Sequence, residues 1–366
     1  MAKRILMNAF SAKVGGGITY VRNLLERMPQ GEFSLFIYAP DDMKLPQDKR
    51  ITRVTTTWPT HNPFLRSLWE RFLLPGVLKR LSIELLFCPG GVHNTSPSKD
   101  FKVVTMFRNM LPFDPQIMAS SVSKIQQLRG RLLKKVMLKS MSQADVVIFI
   151  SNFARKVIES QITVNAAHTI PHGIAKLFYR TDLKMQRPPL AFNQKYILYV
   201  SRFEFYKRHL EVVKAYQLMP AQIRAEYKLL LVGETNLPYG EQVTQYVKEK
   251  NLSQVVILGY YPYADLPALY QNASLFVFAS TCENCPNILL EALGSGAPIL
   301  CSNYEPMPEF GGNAVTYMNP DNPEDIAAKI LQCLNAEVKS EEMQAQAKKF
   351  SWDVTAEKTW KLLLDL

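Results

Sequence analysis

A chain of 366 residues that is 47% hydrophobic and 20% charged carries enough apolar side chain for more than one core, which excludes a disordered tail or a disulfide-stapled miniprotein. No run approaches the roughly 18 apolar residues of a membrane-spanning helix, and the opening MAKRILMNAF is too short for the apolar region of a secretory signal. Five scattered cysteines (Cys88, Cys282, Cys285, Cys301, Cys333) suit a reducing compartment, so a soluble, cytoplasmic protein is expected. The formal charge of +11 is unevenly spread: residues 1–180 hold 26 Lys and Arg against 11 Asp and Glu, and residues 181–366 hold 17 against 21. A basic first half suits a phosphate-bearing partner, either nucleic acid or an anionic membrane face.

Short β-branched or Leu-rich runs alternate with longer helical patterns, the signature of parallel sheets covered by helices on both faces. Strands are expected at residues 4–9, 34–38, 85–88, 103–107 and 146–150 of a first domain, 1–180. After a polar, proline-bearing linker at 181–195, a second domain at 196–349 is expected to have strands at 196–200, 228–232, 255–258, 275–279 and 299–301. Residues 350–366 read as a helix packing back on the first domain. The fold class is therefore α/β, with two doubly wound parallel sheets.

Much nucleotide machinery is missing: no GxxxxGK[ST] loop, no HExxH helix, no strand-bound GxGxxG and no DxD pair for a divalent metal. Cys282-Glu-Asn-Cys285 is a single CxxC and reads as incidental thiols rather than a zinc site. Three constellations remain. Gly15-Gly16-Gly17 follows the first strand and opens a helix, where glycines let backbone approach a ligand and leave helix-terminal N–H groups for an anion; the plain alternative is a tight turn. Arg202 and Lys207 flank the end of a strand and the start of a helix, where two cations can hold a pyrophosphate and neutralise its charge as it leaves; alone they equally suit a solvated basic loop. Glu283-Asn-Cys-Pro-Asn-Ile-Leu-Leu-Glu291 runs from a strand into a helix. Pro286 suits its first turn, the N–H groups of Asn287 and Ile288 can face an anion, Glu291 can accept two ribose hydroxyls, and Glu283 can reach hydroxyls of a sugar. Glutamates flanking a helix start are also common electrostatic caps.

The order GGG, R-x4-K, E-x7-E, followed by ALGSGAPIL, MPEFGGNAV and FSWDVTAEKTW, resembles the family 4 retaining glycosyltransferases of the GT-B fold, most strongly over residues 195–335. The resemblance implies two Rossmann-like domains facing a cleft, the second holding a nucleotide-sugar donor and the first meeting a glycan or lipid-linked acceptor. Arg202 and Lys207 would then bind the donor diphosphate, Glu283 the donor sugar and Glu291 the ribose, while Gly16 and Gly17 would approach phosphate or acceptor. No metal and no cofactor beyond the donor are implied. Transfer would retain the anomeric configuration without an enzymic nucleophile, the leaving oxygen taking the acceptor proton. The chain departs from the family where many members carry His, with Arg108-Asn109 after the strand VVTMF. A guanidinium is no base at neutral pH, so Arg108 is expected on phosphate or an anionic acceptor, or in a salt bridge under the loop. His172 in TIPHGI is a cleft-wall candidate or a structural loop histidine.

Two basic amphipathic stretches carry ten of the 26 Lys and Arg of the first half. In residues 63–81, Phe64, Leu65, Leu68, Trp69 and Phe72 lie beside Arg66, Arg71, Lys79 and Arg80. In residues 124–139, six Lys and Arg surround Ile125, Leu128, Leu132, Leu133 and Val136. Such helices lie on an anionic bilayer, or cover a sheet with their apolar side inward. The sequence reading is a cell-surface polysaccharide or lipopolysaccharide transferase, peripheral at the inner membrane face. The rivals are a GT-B epimerase or hydrolase, a silent sugar-nucleotide scaffold, and a nucleic-acid binder, the last without any recognisable nucleic-acid motif.

Overall fold

The computed structural model describes residues 2–12, 16–96, 98–120, 124–179, 188, 190 and 192–366. Gly15 of the glycine run and most of the expected linker (181–187, 189 and 191) lie outside the described residues. The chain forms two compact units, Met1–His172 with Trp352–Leu366, and Gly173–Ser351.

The first unit holds seven strands: β1 Lys3–Asn8, β2 Phe33–Tyr38, β3 Ile51–Arg53, β4 Leu85–Cys88, β5 Lys102–Phe107, β6 Val146–Phe149 and β7 Ala167–Thr169. All pair in parallel, in the order β3-β2-β1-β4-β5-β6-β7. The inner strands are near-continuous apolar runs because helices cover both faces: β4 and β6 are buried at every residue. The helix Trp352–Asp365 completes this unit. Its Trp360 indole N–H donates to the Leu24 carbonyl at 2.9 Å, its ring meets Phe33 at 5.3 Å between centroids, and Thr359 Oγ1 lies 3.2 Å from the Tyr20 hydroxyl.

The second unit holds six strands: β8 Lys195–Val200, β9 Tyr227–Val232, β10 Val255–Gly259, β11 Leu275–Phe278, β12 Ile299–Ser302 and β13 Thr316–Met318, parallel in the order β10-β9-β8-β11-β12-β13. The division falls at His172, ahead of the expected 180, because residues 173–179 pack with the second unit. Ile174 bridges Ser351 and donates its N–H to Phe350 O at 3.0 Å, and buried Phe178 sits edge-on to Tyr263 and Tyr270.

In both sheets the strand order reverses once, between β1 and β4 and between β8 and β11. In open parallel sheets, the loops leaving the carboxyl ends at such a reversal splay apart and form a ligand crevice. Arg202, Lys207 and Glu283 fall on the loops leaving β8 and β11, and Gly16 and Gly17 follow β1, whereas Arg108 leaves the neighbouring β5 and Glu291 lies on the helix after the β11 loop.

Candidate functional site at two sheet edges

In the second unit, β8 runs out through Ser201 and Arg202 into a short 3-10 turn, Phe205–Lys207, before the helix His209–Leu218. Arg208 stands in the left-handed conformation at φ 54°, the sharp step that turns Lys207 inward. The Tyr199 hydroxyl donates to the Lys207 carbonyl, and Thr281, in the loop after β11, donates its N–H to Tyr206 O at 2.8 Å. These bonds bring the β8 and β11 loops together, so the Lys207 ammonium pairs with the Glu283 carboxylate although 76 residues separate them. The side chains are only 10% and 16% exposed, and the ammonium also lies 5.3 Å from the ring centres of Tyr206 and Phe278. Glu283 occupies one of the three ammonium N–H donors, leaving two for a ligand.

Arg202 is open to solvent, its side chain 59% exposed, with Nε 3.2 Å from Glu234. The β8 and β9 loops touch so closely that a side chain at Gly233 has no room: a Cβ there would fall 1.8 Å from Ser201 O, and φ is +149°. His209 is fully buried and stacked between Tyr199 and Phe203, with centroids at 4.5 and 4.0 Å. Burial, and then the nearby Lys207 charge, push its pKa down to about 3, so it is neutral.

Glu291 lies on the helix Asn287–Ser295, which leaves the β11 loop. Its two carboxylate oxygens accept from Tyr263 at 3.1 Å and Tyr270 at 3.3 Å. Burial outweighs both bonds and pushes its pKa up to about 8. Pro286 stands at the N-cap rather than in the first turn. The expected free amide at Asn287 is corrected: it donates to Cys285 O at 2.9 Å, because a tight turn precedes the helix. Ile288, next in the first turn, is half-buried. Cys282 and Cys285 are buried thiols outside any disulfide, and no three His, Cys, Asp or Glu side chains form a metal-holding group among the described residues.

In the first unit, Gly16 and Gly17 open the helix Gly16–Glu26. A Cβ on Gly17 would come within 3.4 Å of both Ala12 Cα and an Arg108 guanidinium nitrogen. Arg108, leaving β5, is half-buried with its guanidinium 5.8 Å from the Tyr20 ring centre. Gly91, leaving β4 at φ +82°, would set a Cβ 2.7 Å from Met106 O. Gly17, Arg108 and the turn at Gly91 thus share one edge. His172 is 2% exposed, stacked on Trp352 at 5.5 Å and beside Tyr20 at 5.6 Å, a packing role within the first unit.

Sequence reasoning missed Tyr263, Tyr270, His209, Gly91 and Gly233. The two glycines were open to detection, each ending an apolar strand run; the tyrosines and the histidine carry no local signal. Also missed was Glu70, buried below Asn8, whose amide donates to it at 2.9 Å; burial pushes its pKa up to about 7.

Residues 14–175 match the family described as Glycosyltransferase Family 4, and residues 181–350 match Glycosyl transferases group 1. The two matches adjoin and leave little of the chain unclaimed; the chain belongs to the family 4 type of glycosyltransferases and has the GT-B fold. It is 31% identical over 238 residues to the O-antigen chain mannosyltransferase B of Escherichia coli, covering 62% of each chain. It is 28% identical over 232 residues to the E. coli serotype-specific mannosyltransferase WbdA, covering 60% of this chain and 28% of that one. The alignments thus span less than two thirds of either relative's length. Among solved structures, the sucrose-phosphate synthase of Thermosynechococcus elongatus superposes with a TM-score of 0.75 at 19% identity, over 99% of this chain and 98% of that chain.

Proposed function

We propose that this chain transfers a sugar, mannose being the first candidate, from a nucleotide-diphosphate donor to a glycan or lipid-linked acceptor in O-antigen or lipopolysaccharide-type assembly. The observation that carries the reading is the Lys207–Glu283 pair at the crevice of the second sheet, on loops flanking its reversal point. Lys207, with Arg202 beside it, suits a diphosphate whose charge grows as the sugar leaves, and Ile288 offers a helix-start amide to the same anion. Glu283 suits hydroxyls of the donor sugar and Glu291 the ribose. Arg108 beside Gly17 suits a phosphate or an anionic group met by the first unit. Metal-independent transfer with retention fits this set: cations stand where a metal would, and the acceptor hydroxyl attacks on the face the diphosphate leaves, its proton passing to a leaving oxygen. The names of the E. coli relatives favour mannose and O-antigen chains.

The helix Lys124–Gln143 supports a membrane-apposed enzyme. Ile125, Leu128 and Leu132 are 66%, 67% and 61% exposed, so the apolar side faces outward, not onto the sheet. With Arg129, Lys135 and Lys139 around that face, its complement is an anionic bilayer. No helix among the described residues is long and apolar enough to cross a membrane.

Calorimetry of the whole protein with nucleoside diphosphates and nucleotide sugars, in EDTA, tests the donor site. One base is expected to bind, and Lys207→Ala to weaken it by roughly tenfold to a hundredfold, the loss of one charge-assisted contact. Unchanged affinity in Lys207→Ala would remove the site assignment. Turnover of donor without acceptor would favour an epimerase or hydrolase, and the anomeric configuration of the product, read by NMR, decides retention.

A further inference from the structure

A cavity of about 490 Å³ opens in the first unit at the carboxyl ends of β1, β2 and β3, apart from the glycine turn and Arg108. Two half-buried aromatic rings wall it, Phe10 and Trp58, and neither is loose. Phe10 packs on Tyr38 at 5.0 Å and edge-on to Trp69 at 5.8 Å, while the Trp58 indole N–H donates to Leu65 O at 2.7 Å. Asp41 and Asp42 stand exposed at the rim, with no hydrogen bond or ion pair to their side chains among the described residues. Arg53 is the only Lys or Arg in the lining, and its guanidinium is anchored on the carbonyls of Ala39, Pro40 and Met43; the exposed His61 is the lining's one imidazole. That clamp also fixes the segment carrying the two aspartates. In the half of the chain that is otherwise strongly basic, this cavity offers fixed aromatic faces and two exposed carboxylate acceptors, with no Lys and a single Arg held back on backbone carbonyls.

We propose that the cavity is a subsite for a neutral glycan chain, and by extension the place where the acceptor of the transfer reaction is held; this rests on the glycosyltransferase reading. The C–H faces of sugar rings stack on fixed aromatic rings, and paired hydroxyls donate to carboxylates, which accept without a proton of their own. A phosphate, a lipid headgroup or an acidic sugar would instead meet two unpaired negative charges. A purely apolar ligand would strand the aspartates and the threonine hydroxyls of the lining.

The test uses the whole protein with α-mannotetraose and maltotetraose as neutral probes and tetragalacturonate as an acidic one, followed by NMR and calorimetry. Nucleotide-sugar binding and thermal unfolding are measured on the same samples. At least one neutral probe is expected to bind, and the acidic one not. The Asp41→Asn/Asp42→Asn double variant and, separately, Trp58→Ala are each expected to weaken the neutral probe by tenfold or more, with nucleotide-sugar affinity unchanged. The double variant alters only exposed side chains, so it answers even where Trp58→Ala fails to fold. Neutral binding that ignores both variants, acidic binding as tight as neutral, or no oligosaccharide binding by a protein that binds nucleotide sugar would each overturn the subsite. Oligosaccharide binding that depends on these residues, in a protein that binds no nucleotide sugar, would uphold the subsite and remove the transferase reading instead.

Discussion

Glu291 has its pKa pushed up to about 8 from an ordinary 4.5, because burial outweighs the two tyrosine hydrogen bonds that pull the other way. A ribose diol donates hydrogen bonds and so prefers the ionised carboxylate. In the ribose role proposed for Glu291, donor binding releases a proton at neutral pH, and affinity is expected to rise with pH, by at most tenfold per unit, until it levels near pH 8. Calorimetry between pH 6 and 9 in buffers of different ionisation enthalpy reads both the slope and the proton. Glu291→Gln is expected to bind weakly and flatly across that range; a flat wild-type profile would place the ribose elsewhere. The sign for stability runs the other way. A carboxyl whose folded pKa is raised stabilises the fold below about pH 4.5, and that contribution is lost as pH rises through 8. The positions of Lys207, Glu283 and Glu291 after strand ends were legible in the sequence from the R-x4-K and E-x7-E spacing. Tyr263 and Tyr270 were not: they lie 28 and 21 residues from Glu291 and meet it only through packing.

Inner strands declared themselves as apolar runs, and the ten expected ones match the structure to within about a residue at each end. The three unforeseen strands, β3 ITR, β7 AHT and β13 TYM, are each three residues long and lie at sheet edges, where burial is partial and alternation has no length to show. Between elements, the contact of the β8 and β9 loops is set by Gly233. Gly233→Ala is expected to cost about 1–3 kcal/mol in denaturant unfolding, since the new methyl meets backbone rather than a movable side chain. The helix Lys124–Gln143 shows how pattern alone leaves two outcomes. Its basic, amphipathic sequence suits either a sheet or a bilayer, and the exposure of Ile125, Leu128 and Leu132 shows that this face does not cover the sheet, leaving the bilayer as the proposal to test. Leu128→Glu/Leu132→Glu is expected to abolish sedimentation with phosphatidylglycerol vesicles while leaving the melting temperature within about a degree, as exposed substitutions do. Wild-type protein is expected to release from those vesicles as salt rises, and no sedimentation at low salt would remove the bilayer from the reading.

At the scale of the whole chain, charge and connectivity divide differently. The basic half ends near 180, whereas the first unit takes its last helix from residues beyond 350. That helix is no appendage: Trp360 is 1% exposed between Leu24 and Phe33. Trp360→Ala is therefore expected to remove about 3–5 kcal/mol from the first unit. Amide exchange should quicken in β1, β2 and Gly16–Glu26 and stay unchanged in β8 to β13. Equal acceleration in both units would contradict the independence of the two cores.

The return of the chain to its first unit also sets an order of assembly during translation. Gly173–Ser351 is a single unbroken stretch and can close its core as soon as it leaves the ribosome. The earlier-made unit must wait with Phe33 and Tyr20 uncovered until residues 352–366 arrive. At roughly 5–20 residues per second that wait lasts on the order of 10–40 s. During that interval the complete seven-stranded sheet without its last helix, not the finished protein, is the species a chaperone or a protease meets.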